Sequence, residues 1–370
     1  MTGAPDPERW IRQSDEPALR WRWLVEVEGR PEGDREREAA RAKIPRSGWA
    51  KAILDEQLPD GAWVGSKDLY RPKYIATNWR LLVLCDLGLT RRTPGIARAA
   101  ELIFARYGGR DGDLGGRDSE ACFTGNAVRM LARFGYADDP RLAEAIDWLV
   151  TSQKRDGGWY CWRRATGSLD CWEPLAALAA LPPAARTPAV ERAIASGAEF
   201  YLSRRLLDDG GPAYAPWRRT HYPVHYYYDF LVGLELLSRL GYGRDPRLGP
   251  ALDLLESKRN PDGTWNLDAL HPDFGTEEES QYGIGTPFYP FALERPGGPS
   301  RWITLTALAV LRRAGRVGRA AAVPTAGRAA PRGPARSPAE AAGRRRSARG
   351  RPRPTASPPR ARPGRRRAPD

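Results

Sequence analysis

The sequence predicts an all-α fold, a repeat of helical pairs arranged in two layers. Three observations lead there. Five Asp-Gly pairs, Asp60-Gly61, Asp111-Gly112, Asp156-Gly157, Asp209-Gly210 and Asp262-Gly263, recur at steps of 51, 45, 53 and 53 residues, and a fixed period of that size marks a repeat architecture. Four segments between them open with one device, Thr93-Pro94, Asp139-Pro140, Thr187-Pro188 and Asp245-Pro246. Thr or Asp caps the first turn, and proline loses nothing at the first helical position. Apolar residues fall at helical spacing, with no strand-period segment of useful length.

The elements follow in order, with inner helices expected at 17–28, 74–88, 121–134, 172–181, 225–240 and 300–314. Leu81-Leu-Val-Leu-Cys85 and Phe230-Leu-Val-Gly-Leu234 are apolar nearly all round, as a helix buried on most sides must be. Gly88, Gly135 and Gly241 stop three of these helices. Outer helices are expected at 47–57, 95–107, 139–154, 188–206 and 246–259. Ile96, Ala100, Ile103 and Phe104 form one stripe, and Leu142, Ile146, Leu149 and Val150 another. Arg141, Glu144 and Asp147 take the wet face opposite the second stripe. One buried and one half-exposed helix per period gives two concentric layers. About six inner helices suit a closed ring, although an open solenoid has the same spacing.

The chain has 370 residues and a net charge of +14. Residues 316–370 contain 16 Arg, no Lys, and only Glu340 and Asp370 as acids. The basicity therefore belongs to the tail, and residues 1–315 are balanced. The tail is Ala, Pro, Arg and Gly, too poor in large apolar groups to offset its ordering entropy, so disorder is expected there. The expected organisation is a helical lead-in at 1–45, the repeat domain at 46–315 and the tail at 316–370. Arg344-Arg-Arg346 and Arg365-Arg-Arg367 offer non-specific contact to RNA, DNA or anionic lipid, and no specific nucleic-acid partner is expected. Residues 1–24 lack a basic segment followed by an apolar core, and no run of about 18 apolar residues occurs. With four Cys, too sparse for a disulfide scaffold, a cytoplasmic setting with free or metal-bound thiols is expected.

Three Asp-Gly pairs sit in a fuller phrase: Gln57-Leu-Pro-Asp-Gly-Ala-Trp63, Gln153-Lys-Arg-Asp-Gly-Gly-Trp159 and Lys258-Arg-Asn-Pro-Asp-Gly-Thr-Trp265. Glycine supplies the positive φ of the turn, Gln can satisfy free backbone groups, and Trp can stack across to the next unit. Gln57, Gln153, Trp63, Trp159 and Trp265 are therefore read as structural. The phrase resembles the QW-type repeat of the terpenoid cyclase and protein prenyltransferase superfamily over roughly residues 45–315. The chain looks most like bacterial prenyltransferase or squalene-oxidase repeat proteins. The resemblance implies an α/α toroid of about five to six helical hairpins around a central cavity. The Asp-x-Asp-Asp acid of class II triterpene cyclases is absent: Asp111-Gly-Asp113-Leu and Asp138-Asp139 do not match it.

The chemistry gathers where inner helices begin. Trp79, Phe123, Trp172, Tyr226, Tyr227 and Trp302 stand at these entries. A belt of aromatics holds an apolar chain and stabilises a carbocation, and it also packs layers together. Cys122, Cys161, Cys171 and His225 fall at one end of three adjacent repeats, which is the making of a zinc site, with Asp170 or His221 as substitutes. The same cysteines would also serve simple packing, as Cys85 is expected to do. Asp170 and Asp229 are the candidate catalytic carboxylates. The insertion 266–299, with His271 and Glu277-Glu-Glu279, is a candidate lid or membrane-surface contact. The resulting expectation is a toroid binding a long apolar ligand of isoprenoid type, with prenyl transfer or cyclisation as the reaction class if it is an enzyme. Two alternatives are a non-catalytic zinc-stabilised scaffold and nucleic-acid association through the Arg tail.

Overall fold

A computed structural model describes residues 6–107, 120–161, 165–210, 213–270 and 293–317. These lie in one compact unit, Met1–Ala322. Most of the 266–299 insertion and the Arg-rich tail from 318 onward fall outside the described residues, as do Asp111-Gly112 and His271. Among the described residues the structure is all-α. The helices are α1 (Pro7–Arg12), α2 (Pro17–Glu26), α3 (Arg35–Lys43), α4 (Gly48–Asp55), α5 (Thr77–Asp86), α6 (Pro94–Tyr107), α7 (Ala121–Leu131), α8 (Ala143–Thr151), α9 (Glu173–Ala180), α10 (Pro188–Ser203), α11 (Phe230–Arg239), α12 (Gly249–Ser257) and α13 (Arg301–Arg313). None is long and apolar enough to cross a membrane.

Helices α5, α7, α9, α11 and α13 are buried along most of their length. Helices α6, α8, α10 and α12 bury one stripe and wet the other. Inner helices pack α5 on α7 and α7 on α9, and α13 lies against α11, α1 and α2. Helix α7 approaches α9 most closely at Gly125, where an added Cβ would come within 2.6 Å of the Glu173 and Pro174 backbone. Only glycine permits that approach.

The outer segments 139–154 and 246–259 begin as 3-10 turns, Pro140–Leu142 and Pro246–Leu248. The reason lies in the residue after proline. Asp139 accepts from the Arg141 N–H at 3.0 Å, and the Arg141 guanidinium returns to the same carboxylate at 2.7 Å. Arg141 then reaches Glu101 on α6 at 2.6 Å and covers Phe104 at 3.8 Å. Asp245 and Arg247 repeat this, and Arg247 reaches Glu199 on α10 at 2.7 Å.

A second tie joins the remaining outer neighbours. The Gln57 amide donates to Gly61 O and Gly95 O, both at 2.8 Å, linking the end of α4 to α6. Gln153 does the same toward Gly157 O at 2.8 Å and Ala193 O at 2.9 Å, linking α8 to α10. Of the phrase tryptophans, Trp159 lays its ring against Gly197 of α10 in the next unit. Each of them turns back, donating its Nε1–H to a carbonyl ten residues earlier: Trp63 to Ile53 at 2.8 Å, and Trp159 to Leu149 and Trp265 to Leu255, both at 2.7 Å. Their own N–H groups are anchored by inner helices: Thr77 receives Trp63 N and Thr304 receives Trp265 N, both at 2.9 Å.

Candidate metal centre

The first turn of α7 begins at Glu120, whose side chain makes no capping bond. Its leading N–H groups are therefore free for another acceptor. That acceptor is Cys161 Sγ, carried in from the loop after Trp159, with Cys122 N donating to it at 3.3 Å. Cys161 Sγ also lies 3.7 Å from Cys171 Sγ, and Cys122 Sγ lies 3.7 Å from Glu120 Oε2. Ligand atoms of Glu120, Cys122 and Cys161 all fall within 4.8 Å of one another, a group able to hold a metal ion. Loop geometry holds the set in place, with Asp156 accepting from Gly167 N at 3.1 Å and Ser168 N donating to Trp159 O at 2.9 Å.

The electrostatics distinguish the three sulfurs. Hydrogen bonds from the Cys122 and Cys171 thiols, helped by the Cys122 and Ala121 N–H groups and opposed by burial, pull Cys161 down to about 4. A helix N-terminus favours a thiolate in this way. Cys122 is pushed up because it donates to Cys161, and Cys171 by burial and the same thiolate. Burial raises Glu120 too, with the Cys161 charge adding to it.

A second carboxyl group faces this cluster from α9. Glu173 is 0% exposed, and neither carboxyl oxygen has a hydrogen-bond partner. Burial first, then the Cys161 charge, drives its pKa well up. Thr77 lies 14 residues after Trp63, and Glu173 stands at the same chain distance from Trp159. This unit thus has an ionisable side chain where the first has an anchoring threonine. Glu120 and Glu173 were not singled out from the sequence. The repeat register of Glu173 was the one signal that could have found it.

The other expected site residues lie as follows. His225 is absent from the thiol group. Its backbone sits at φ 48°, and the ring stacks on Tyr74 at 5.2 Å and meets Trp79 edge-on at 5.4 Å. Burial, with the nearby positive charges, takes it down to about 3. His221 Nδ1 and Asp229 Oδ2 are 2.6 Å apart, and Asp229 Oδ1 caps α11 through Val232 N at 2.9 Å. Asp229 is thus occupied in orienting a histidine and starting a helix. Asp170 is exposed and accepts from Trp217 Nε1 at 2.7 Å.

The aromatic belt divides. Trp302 is covered by the Arg22 guanidinium at 4.2 Å and stacked by Tyr222 at 4.2 Å, and Trp172 lies under Arg129 at 4.9 Å. Trp79, Phe123, Tyr226 and Tyr227 join Tyr70 and Tyr74 in one continuous stack. Lys73 Nζ donates to Tyr226 OH at 3.1 Å, and Tyr226 OH lies 3.1 Å from Tyr74 OH. Burial lowers Lys73 despite the nearby Glu120 and Cys122, which places this stack beside the thiols.

No family model matches the chain, and no curated protein matches it. Among solved structures, a protein from Actinoplanes is similar at 19% identity, covering 82% of this chain and 90% of that one, with a TM-score of 0.39. A variant of the type II terpene cyclase MstE from Scytonema, in complex with geranylgeranyl dihydroxybenzoate (substrate), is similar at 15% identity over 72% of this chain and 95% of that one, with a TM-score of 0.29. The apo form of a variant of that cyclase gives the same identity and TM-score.

Proposed function

We propose that the chain is a zinc-binding α/α toroid that takes a long apolar ligand of isoprenoid type beside its metal. The observation carrying this reading is the grouping of Glu120, Cys122 and Cys161 within 4.8 Å of one another at the N-terminus of α7, with Cys171 Sγ 3.7 Å from Cys161 Sγ. Zinc bonds thiolate at about 2.3 Å, so two sulfurs of one tetrahedron stand about 3.8 Å apart. The Cys161–Cys171 separation of 3.7 Å fits that edge. Glu120, Cys122 and Cys161 would hold the ion, with Cys171 joining them through side-chain rotation and Glu120, on the solvent side, as the exchangeable ligand. Bound zinc would supply Lewis acidity toward a ligand oxygen or sulfur.

The chain's own residues supply the surroundings. Phe123, Tyr70, Tyr226 and Tyr227 are half-buried and offer faces to an apolar chain. The Lys73 and Tyr226 hydrogen-bonding groups would orient its polar end, and Glu173 would hold a proton close to the thiolate. If catalysis occurs, isoprenoid transfer or cyclisation is the class this arrangement serves. Ring closure is supported by the packing of α1 and α2 on α13, with Arg312 on Glu8 at 2.5 Å. A purely structural zinc is the second reading, because four protein donors are within reach.

Elemental analysis of the purified chain tests the metal: one equivalent of zinc is expected, falling at least tenfold in Cys161→Ser. Less than a tenth of an equivalent in the wild type ends the proposal. Glu120→Ala separates the two readings. Retained zinc with altered binding of a polyprenyl probe favours the open site, and lost zinc favours the structural one.

A further inference from the structure

We propose that Cys161 and Cys171 form an oxidation site, at which a hydroperoxide converts the pair to a disulfide and thereby removes two of the three sulfur ligands. The coupling to metal rests on the zinc reading above, whereas the disulfide itself does not.

The geometry selects this pair. The sulfurs stand 3.7 Å apart, and a disulfide needs about 2.05 Å, a closure within reach of side-chain rotation. From Gly167 to Cys171 the backbone is tied down, Gly167 N to Asp156 at 3.1 Å and Cys171 N to Ser168 O at 3.2 Å. Cys161 is partly exposed and Cys171 is buried, so an oxidant in solvent reaches Cys161 first and the second thiol waits behind it. Cys122 Sγ also lies within 4.8 Å of Cys161 Sγ, but it is carried by the first turn of α7 and is shared with Glu120 Oε2 at 3.7 Å. Cys85 is buried within α5.

The step balances. Cys161 sulfur attacks one peroxide oxygen, the O–O bond breaks, and water (or an alcohol from an alkyl hydroperoxide) leaves, giving a sulfenic acid. Cys171 sulfur then displaces the hydroxyl. The S–S bond forms, and the Cys171 proton departs with the hydroxyl as water. Two electrons pass from the thiols to the peroxide.

The test uses the full chain, half stripped with a chelator and half loaded with zinc, each titrated with hydrogen peroxide. The stripped chain should lose two of its four titratable thiols and the mass of two hydrogens. A non-reducing peptide map should join the Cys161 and Cys171 peptides, and a thiol reductant should reverse all three changes. The loaded chain should react more slowly and release its zinc as the link forms. Linkage through Cys122 or Cys85, sulfinic acid as the main product, or no thiol loss in the stripped chain overturns the proposal. A disulfide that forms in a chain taking up no zinc overturns the coupling and leaves the oxidation site. Cys171→Ser should stop at a sulfenic acid on Cys161 that a dimedone probe traps. Should that variant unfold by circular dichroism, Cys122→Ser keeps the pair and must still form the link.

Discussion

At Cys161 the backbone of α7 takes the part that a neighbouring base plays in many thiol sites. Two N–H groups and two thiols converge on one sulfur, and its thiolate persists down to about 4. In metal-free protein, alkylation of Cys161 by iodoacetamide should therefore proceed at a nearly constant rate from about pH 5 to about pH 8, where a free thiol near 8.5 would still be rising. Mass spectrometry of the Cys161 peptide reads this, and a rate climbing tenfold per pH unit up to pH 8 contradicts it. Glu173 invites the opposite change. Its carboxyl group is buried and unpartnered, and the first unit has threonine in its register. Glu173→Thr should raise stability by about 1–3 kcal/mol in urea unfolding, while weakening zinc retention. A destabilised variant would mean that the carboxyl already has a compensating partner. The cysteines were legible from the sequence because they recur at helix entries. Glu120 was not, because a single acid among 45 carries no pattern, and Glu173 is marked only by its shared register with Thr77. His225 misled because its spacing suits the cluster while its left-handed backbone turns the ring onto Tyr74.

The elements were the most legible level, because the inner helices carry long apolar runs and the outer ones are striped. Leu81 to Cys85 of α5 and Phe230 to Leu234 of α11 are buried as their sequence suggested. Helix α3 falls in the expected helical lead-in, but its bounds were not legible because Ala40 is its one buried side chain, too little for a periodic signal. The 3-10 starts before α8 and α12 were missed because they depend on Arg141 and Arg247 reaching back to their own caps. The tryptophans of the phrase hold an inner entry to the preceding outer helix, and Trp159 also packs on Gly197 of the next unit. Trp63→Phe and Trp159→Phe should each remove one buried hydrogen bond, leaving Ile53 O with Glu56 N and Leu149 O with Ser152 Oγ, both at 3.2 Å, and cost about 0.5–1.5 kcal/mol. Denaturant midpoints should shift alike for both. A loss confined to one would show that the two bonds, 2.8 and 2.7 Å, are not equivalent supports.

At the scale of the whole molecule, charges separated by most of the chain hold its ends together. Glu26 of α2 pairs with Arg239 at 2.6 Å and with Arg313, and Glu235 pairs with Arg22 at 2.5 Å. The Asp-Gly phrases do not mark these partners, which are separated by 213 and 287 residues. Burial alone would raise Glu235, but Arg239 and Arg22 bring it down to about 2, and Glu26 is lowered in the same manner. Both carboxyl groups are thus more acidic folded than at the unfolded value of about 4.3. Their stabilisation is complete above that value and is lost as pH falls toward 2. Glu26→Gln should cost about 3 kcal/mol at neutral pH and flatten the fall in urea midpoint between pH 5 and 3. An unchanged pH profile would place the acid sensitivity elsewhere. The two kinds of outer tie have a different consequence. From α4 to α12 the seams read glutamine, arginine, glutamine, arginine. The full Asp-Gly phrase likewise returns only at Asp60, Asp156 and Asp262, at steps of 96 and 106 residues. The architecture has a parity: its interchangeable module is two hairpins, so excising one would oppose mismatched seams, while excising two would restore the alternation.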